Sequence, residues 1–249
     1  MDEVKTGSEI KQKKKQSKKR IVCENLSFAA KEAFKRLRTN LVMSFPQEDT
    51  SCHLIGITSA QPSDGKSTVA INLAFSLAEL GKKTLLIDAD MRRASIHEKA
   101  GMEKTPGLSN LMGSTNSIAS AMRKYQSSTS SVAFDIIPGG DVPQNPSELL
   151  NSKRMATLLQ TLSTAYEYII IDLPPIGDVV DAVSVAREID GMLVVIRENT
   201  CPRGLLTECM QQLEYAGVEV LGFVINGALE GSGKKYQYNS KYGYYNNYY

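Results

Sequence analysis

Short, continuously apolar runs alternate with longer amphipathic segments along most of this chain. Apolar runs of this kind are typical of strands buried on both faces of a sheet. The predicted strands are residues 53–58, 83–88, 132–137, 168–172, 191–196 and 218–226. The predicted helices are residues 27–45, 68–80, 178–189 and 202–216, with shorter ones opening at 106–108 and 145–150. The alternation predicts an α/β fold with a mostly parallel sheet covered by helices on both faces.

The hydrophobic pattern also predicts several helix ends. The first helix is expected to have Ser27 as its N-cap and to stop before Pro46. Its apolar positions fall near one face and are Phe28, Phe34, Leu37 and Leu41. Ser147 is expected to cap the helix at 145–150, and residues 114–131 are expected to form exposed helix and loop.

Composition divides the chain into three parts. Residues 1–24 are polar and lysine-rich, which predicts a basic, flexible N-terminal segment. Residues 25–228 carry the strand and helix pattern and are expected to form one domain. Residues 229–249 show no periodicity and are expected to be a flexible tail. Seven tyrosines occupy the last fourteen residues of that tail, namely Tyr236, Tyr238, Tyr242, Tyr244, Tyr245, Tyr248 and Tyr249.

A glycine-containing loop joins the first predicted strand to the helix over residues 68–80. Its sequence, from Thr58 to Thr68, ends in Gly-Lys-Ser-Thr, and Ala60 stands where the first glycine of such loops usually occurs. A loop that enters a helix in this way directs backbone N–H groups at bound phosphates. The pattern predicts a P-loop NTPase fold that binds a nucleotide, and the resemblance described below implies that this nucleotide is ATP. The expected nucleotide-binding residues are Pro62, Ser63, Asp64, Gly65, Lys66, Ser67 and Thr68.

Carboxylates follow two further apolar strands. Asp88 ends the strand at 83–88 and Asp90 follows it, and Asp172 ends the strand at 168–172. The carboxyl ends of parallel strands meet at one edge of a sheet, which is where ligands bind in such folds. Mg²⁺ prefers a few oxygen ligands from the protein. Ser67, Asp88 and Asp172 are therefore the expected Mg²⁺ ligands.

Taken together, these motifs resemble the bacterial tyrosine kinases (BY-kinases) of the capsule and exopolysaccharide type. The resemblance rests on the loop ending in Gly65-Lys66-Ser67-Thr68, on LLIDADMRR, on IIIDLPP and on the terminal tyrosine cluster. In that family the first three are the Walker A, Walker A′ and Walker B motifs. The family usually has proline where this chain has Ala94.

The resemblance implies an ATP-dependent protein-tyrosine kinase that phosphorylates its own tyrosine tail in trans, between subunits. Lys66, Asp88, Asp90 and Asp172 are the expected catalytic residues, with Asp88 or Asp90 as the base for the tyrosine hydroxyl. Arg92 or Arg93 is a candidate for charge stabilisation or for a salt bridge. Asn226, at the end of the last strand, is equally compatible with an adenine contact and with a turn.

Family membership further implies partners. A ring-like homo-oligomer would be held by an ExxRxxR motif, matched here by Glu32, Lys35 and Arg38 with lysine in place of the first arginine. The family also implies a transmembrane activator on a separate chain, an opposing tyrosine phosphatase and a role in polysaccharide synthesis and export. We expect a Gram-positive-like cytosolic kinase chain, recruited to the inner face of the membrane by its activator.

Two other functions fit parts of the pattern. A partitioning or septum-placement ATPase of the deviant Walker type would carry a second lysine where this chain has Gln61. A nucleotide-dependent scaffold would use the tyrosine tail as a docking peptide. The net charge of +2 gives no reason to expect a nucleic-acid partner. The four cysteines lack metal-site or disulfide-scaffold spacing, which favours reduced thiols.

Overall fold

The computed structural model describes residues 22–46, 51–113, 116–177 and 185–227. The tyrosine tail, nearly all of the basic N-terminal segment and most of the predicted helix at 178–189 therefore lie outside the described residues. Among the residues described, no helix combines the length and hydropathy needed to cross a bilayer.

Seven described strands form one sheet with the order β3-β4-β2-β5-β1-β6-β7. Neighbouring strands run parallel, apart from the antiparallel pair of β3 and β4 at one edge. The mostly parallel sheet predicted from the sequence is thus confirmed. The strands are β1 (His53–Ser59), β2 (Thr84–Asp88), β3 (Arg123–Gln126), β4 (Ala133–Ile137), β5 (Tyr168–Asp172), β6 (Gly191–Arg197) and β7 (Val220–Asn226).

Helices cover both faces of this sheet, as predicted. Helices α1 to α3 pack on one face of the sheet, where they form one hydrophobic cluster with the strands. Helices α4 to α8 pack on the other face and form a second hydrophobic cluster there. The helices are α1 (Phe28–Ser44), α2 (Lys66–Glu79), α3 (Ile96–Ala100), α4 (Leu108–Gly113), α5 (Ile118–Ala121), α6 (Pro146–Leu150), α7 (Lys153–Ser163) and α8 (Arg203–Tyr215). Short 3₁₀ turns occur at Cys23–Asn25 and Ala186–Glu188.

The central strands β1, β2 and β5 are buried along their whole length. In β5, Ile170 packs with the cluster under α2, while Ile169 and Ile171 pack with the cluster on the opposite face. Both faces of a central strand therefore require apolar side chains, which explains why these strands appear in the sequence as unbroken apolar runs. The three strands are adjacent in the sheet, so their carboxyl ends meet.

Several local predictions hold and others need correction. Ser27 caps α1, and its hydroxyl accepts a hydrogen bond from the Ala30 N–H at 3.3 Å. Phe28, predicted on the same apolar face as Leu41, is the first residue of α1 and is 79% exposed, whereas Leu41 is buried. Ser147 is not a cap: Asn145 precedes α6, and Pro146 occupies the first turn, where its missing N–H costs nothing.

Besides the helices α3 and α7, the sequence analysis missed strand β3. It lies within residues 114–131, which were predicted to be exposed helix and loop. Only Tyr125 among its four residues is buried, and the other side chains are exposed or half-buried. An edge strand with a single buried side chain has almost no alternating pattern to detect.

A close backbone contact holds the start of α4 against the residues that follow β4. The Leu108 N–H donates to the Pro138 carbonyl at 2.7 Å, and the Ser109 N–H donates to the Gly139 carbonyl at 3.1 Å. A Cβ atom at Gly107 would lie 2.3 Å from the Pro138 oxygen. Because backbone atoms occupy that space, only glycine fits at this position.

Replacing Gly107 with alanine is expected to lower the free energy of unfolding by about 2 kcal/mol or more, because the backbone must move to admit the methyl group. Gly204→Ala is the matched control, since nothing described lies within 4 Å of a Cβ there and the residue is helical. That change should raise the free energy of unfolding by about 0.5–1 kcal/mol. Urea unfolding of both variants measures these changes. Equal changes in the free energy of unfolding would contradict the requirement for glycine at position 107.

Candidate active site at the carboxyl ends of the central strands

The loop after β1 enters α2 through a left-handed residue. Gly65 has φ = 99° and immediately precedes Lys66, the first residue of α2. A Cβ atom at Gly65 would lie 1.9 Å from Nδ2 of Asn226, so both the backbone conformation and the packing require glycine. The predicted strand, loop and helix arrangement of the P-loop is present.

Two side chains from the neighbouring strands hold this loop in place. Asn226, at the end of β7, donates from Nδ2 to the Asp64 carbonyl at 2.8 Å. Arg197, at the end of β6, donates from Nη1 to the Ser63 carbonyl at 3.3 Å. The sequence analysis left the role of Asn226 open and did not select Arg197. Nothing in the local sequence distinguishes a strand-end arginine that binds a distant loop.

Lys66 and Asp90 form a partly buried ion pair. Lys66 Nζ lies 2.6 Å from Asp90 Oδ2, and the two side chains are only 12% and 3% exposed. The other Asp90 oxygen accepts a hydrogen bond from the Arg93 N–H at 3.0 Å. In this conformation the P-loop lysine is held by a carboxylate of the segment after β2, although its position in the motif is that of a phosphate ligand.

Two further carboxylates lie side by side beneath this ion pair. The register of the parallel pair β2–β5 places Asp88 directly opposite Asp172, and both residues are fully buried. Asp88 Oδ2 accepts hydrogen bonds from the Ser95 and Ile96 N–H groups, each at 3.0 Å. By hydrogen-bond geometry, Asp88 Oδ1 and both Asp172 oxygens have no partner within the described part of the chain, although the nearby Ser67 hydroxyl lowers the pKa of the Asp172 carboxyl.

Burial and mutual repulsion dominate the electrostatics of the two carboxylates. Burial raises the pKa of the Asp88 carboxyl, and the nearby charge of Asp172 raises it further. Burial also raises the pKa of Asp172, although the charge of Lys66 opposes this effect. For Lys66, burial alone would lower the pKa, but the charges of Asp172, Asp90 and Asp88 outweigh it and raise the pKa. Three carboxylates thus share one ammonium group.

This donor set fits a magnesium ion. Unpartnered, buried carboxylate oxygens are costly unless a cation or a donor satisfies them. Across residues 22–46, 51–113, 116–177 and 185–227, no three His, Cys, Asp or Glu side chains are grouped as in an all-protein metal site. Mg²⁺ does not require such a group, because it commonly binds one or two carboxylates together with waters and phosphate oxygens.

A cleft of about 440 Å³ opens above these groups. Of the seven predicted nucleotide-binding residues, Asp64 alone is absent from its wall: its side chain is buried and accepts a hydrogen bond from Gln61 Nε2 at 3.0 Å. Asp88 and Asp172 lie beneath the floor and Asp90 lines it. The lining residues are Pro62, Ser63, Gly65, Lys66, Ser67, Thr68, Asp90, Arg93, Ser95, Lys99, Pro175, Arg197, Asn226 and Gly227.

The three predicted oligomer-contact residues lie on α1, away from the cleft. Lys35 Nζ pairs with Glu32 at 2.8 Å, and both side chains are substantially exposed. Arg38 is different, since its side chain is 11% exposed and Nη1 donates to the Ser76 carbonyl at 2.8 Å and to Glu79 at 3.2 Å. Arg38 therefore ties α1 to α2 within one chain, and contact with a second chain stays a prediction.

Arg38→Ala is expected to lower the free energy of unfolding by about 1–3 kcal/mol, because it leaves the Ser76 carbonyl without its donor and removes the packed side-chain stem. Lys35→Ala, the control, should change it little because that ion pair is exposed. Urea unfolding at a protein concentration where the chain is monomeric separates a role within one chain from a role between chains. Unchanged monomer stability in Arg38→Ala would show that this residue acts only between chains.

The carboxylate pair predicts a pH dependence of stability in the nucleotide-free protein. Because the pKa of Asp172 is raised in the folded state, the native protein retains a proton that the unfolded chain releases above about pH 4. The free energy of unfolding should therefore fall as pH rises from that point toward the folded pKa.

Asp172→Asn should make that fall shallower, whereas the exposed control Asp141→Asn should leave it as in the wild type. Chemical denaturation at a series of pH values gives the slopes. Identical slopes for wild type and Asp172→Asn would contradict the assignment of a charge penalty to this carboxylate.

Comparison with known proteins agrees with the fold and the motifs. A family model described as an AAA domain (AAA_31) matches residues 53–213. The chain is 37% identical to a putative tyrosine-protein kinase EpsB of Ralstonia nicotianae, covering 86% of this chain but only 28% of that protein. It is 35% identical to the tyrosine-protein kinase YwqD of Bacillus subtilis, covering 86% of this chain and 85% of YwqD.

Among solved structures, the kinase domain of the Escherichia coli tyrosine kinase ETK superposes with a TM-score of 0.75 and 32% identity. The match covers 88% of this chain and 80% of that domain. The similarity of sequence covers most of YwqD, and the similarity of structure covers most of the ETK kinase domain, so both comparisons indicate the same family. The chain belongs to the bacterial tyrosine-protein kinase family.

Proposed function

We propose that this chain is an ATP-dependent protein-tyrosine kinase that phosphorylates the tyrosines of its own tail in trans. The observation that carries the proposal is the site itself: a P-loop lysine among three buried carboxylates, at the base of an open cleft. The tail supplies the acceptors, because seven tyrosines lie in its last fourteen residues. Family membership supports the same reaction.

Phosphoryl transfer requires a protein mainly to position the reactants and to neutralise charge. The N–H groups of the loop before α2 would bind the phosphates, and Lys66 would leave Asp90 to contact the terminal ones. Ser67, Asp88 and Asp172 would hold Mg²⁺, which when bound neutralises phosphate charge. Arg197 and Asn226 would keep the loop in shape through their bonds to the Ser63 and Asp64 carbonyls.

The acceptor tyrosine must lose a proton during transfer. Asp88 and Asp90 were both candidates for the base, and their surroundings favour Asp90. Asp90 lines the cleft, while Asp88 lies below it with one oxygen bound to two backbone N–H groups. Once Lys66 has moved to the phosphates, the Asp90 oxygen that it had occupied would be free to accept the tyrosine proton. Asp88 would then remain a metal ligand.

The proposal extends to partners and to cellular role. A transmembrane activator on a separate chain would recruit the kinase to the inner face of the membrane, and ring-like self-association would bring each tail to a neighbouring site. A tyrosine phosphatase would reverse the reaction. The cycle would regulate synthesis and export of capsular polysaccharide or exopolysaccharide. Membership of the family and the motif on α1 support this extension.

The test is phosphate localisation by mass spectrometry after the full chain is incubated with Mg²⁺ and ATP. Phosphate is expected on residues 236–249. Lys66→Met should reduce it about 100-fold or more, because removing a charge that stabilises the transition state has effects of that size. Lys124→Met is the matched control, since Lys124 is an exposed lysine on β3, at the edge of the sheet and outside the cleft wall.

The same experiment separates the kinase from its two alternatives. ATP hydrolysis without phosphotyrosine, also in the presence of an activator fragment, would favour a partitioning ATPase. The absence of both ATP hydrolysis and phosphotyrosine would favour a scaffold. Gln61 stands where partitioning ATPases carry their second lysine. Its side-chain amide donates to Asp64 and, at 3.3 Å, to Thr200, so this side chain holds the loop in the structure.

A further inference from the structure

Four cationic side chains line the cleft, and they differ in what they already bind. They are Lys66, Arg93, Lys99 and Arg197. Lys66 is paired with Asp90, and the Arg197 guanidinium donates to the loop carbonyl of Ser63. Lys99, like Arg93, has no ion pair and no side-chain hydrogen bond to any residue in the described ranges. Its ammonium group is thus available to a bound anion.

Helix α3 holds Lys99 at a fixed place relative to the carboxylates. The Ser95 and Ile96 N–H groups, where α3 begins, both donate to Asp88 Oδ2. Ile96 and Ala100 are buried against the core, which fixes the other side of the helix. Lys99 follows Ser95 by about one helical turn, so the segment that anchors Asp88 also carries this lysine to the cleft wall.

The start of α3 places Lys99 near the expected Mg²⁺ site. The Ser95 and Ile96 N–H groups bind Asp88 at the end of β2, and Asp88 lies opposite Asp172 at the end of β5. Lys99 also shares the cleft wall with Lys66, Ser67 and Asp90. It therefore lies on the side of the cleft where β2 and β5 end, which is the side expected to receive the terminal phosphate.

We propose that Lys99 is a second phosphate-binding cation, which contacts the terminal phosphate of bound ATP and makes the site distinguish ATP from ADP. The inference rests on the proposed function, because it presupposes a nucleotide in this cleft. Lys66 must offset three carboxylates as well as phosphate charge, so an additional ammonium group nearby strengthens the binding of the more highly charged nucleotide. No motif in the sequence includes Lys99, and for that reason sequence analysis did not select it.

The experiment compares the affinities of the full chain for two nucleotides, measured by calorimetry with Mg²⁺ present. The ligands are ADP and the non-hydrolysable triphosphate adenylyl-imidodiphosphate. Lys99→Met should weaken binding of the triphosphate about tenfold or more, as expected for loss of a charged hydrogen bond. The same change should weaken binding of ADP by less than about threefold. Lys99→Arg should retain most of the triphosphate affinity, and the exposed control Lys124→Met should bind both nucleotides as the wild type does.

Each other result has a distinct meaning. An equal loss of affinity for both nucleotides in Lys99→Met would show that Lys99 has a structural role, and would overturn the inference. Unchanged affinities, even with a reduced rate of tail phosphorylation, would overturn it too, because Lys99 would then contact the acceptor rather than the nucleotide. Failure of the wild-type chain to bind either nucleotide would instead refute the proposed function on which the inference rests.

Discussion

The excess of buried negative charge around one lysine is the constraint on which this site depends. Asp88 and Asp172 face each other at the ends of β2 and β5, Asp90 follows closely, and Lys66 provides the single ammonium group bonded within the cluster. Several carboxylate oxygens there lack a partner in the described structure. Such an arrangement is unfavourable by itself and becomes favourable when a divalent cation and its phosphates arrive. The protein therefore carries a stability cost at the place where its ligand binds.

The fold makes this crowding possible because three central strands end side by side. β1 leads into the loop that carries Lys66, and β2 and β5 on its flank end in carboxylates. Contacts from the edge of the sheet complete the site, since Arg197 and Asn226 from β6 and β7 bond to the loop backbone. Helix α3 adds a second connection through the two N–H groups that bind Asp88. Backbone N–H groups thus hold Asp88 and Asp90, whereas the Arg197 and Asn226 side chains hold the loop that carries Lys66.

The sequence allowed the sheet, the loop and the carboxylates to be predicted, because each depends on a local pattern. A strand buried on both faces is an unbroken apolar run, and a glycine before the P-loop lysine is required by its positive φ. Strand β3 escaped prediction because its pairing with β4 involves only one buried side chain. Arg197 and Lys99 escaped because their roles follow from where distant strands and a short helix end in space. The bonds of Arg38 to Ser76 and Glu79 escaped prediction because a motif gives no indication of which residues lie beneath it.

The most direct test of the account is the effect of Mg²⁺ on the thermal unfolding of the full chain in the presence of ATP. If a divalent cation satisfies the buried carboxylates, the unfolding midpoint should rise by several degrees with ATP and Mg²⁺ together, because a ligand bound only to the native state stabilises it. ATP with a chelator should give a much smaller rise. An equal rise with and without Mg²⁺ would show that the phosphates alone satisfy the site, and would contradict the account.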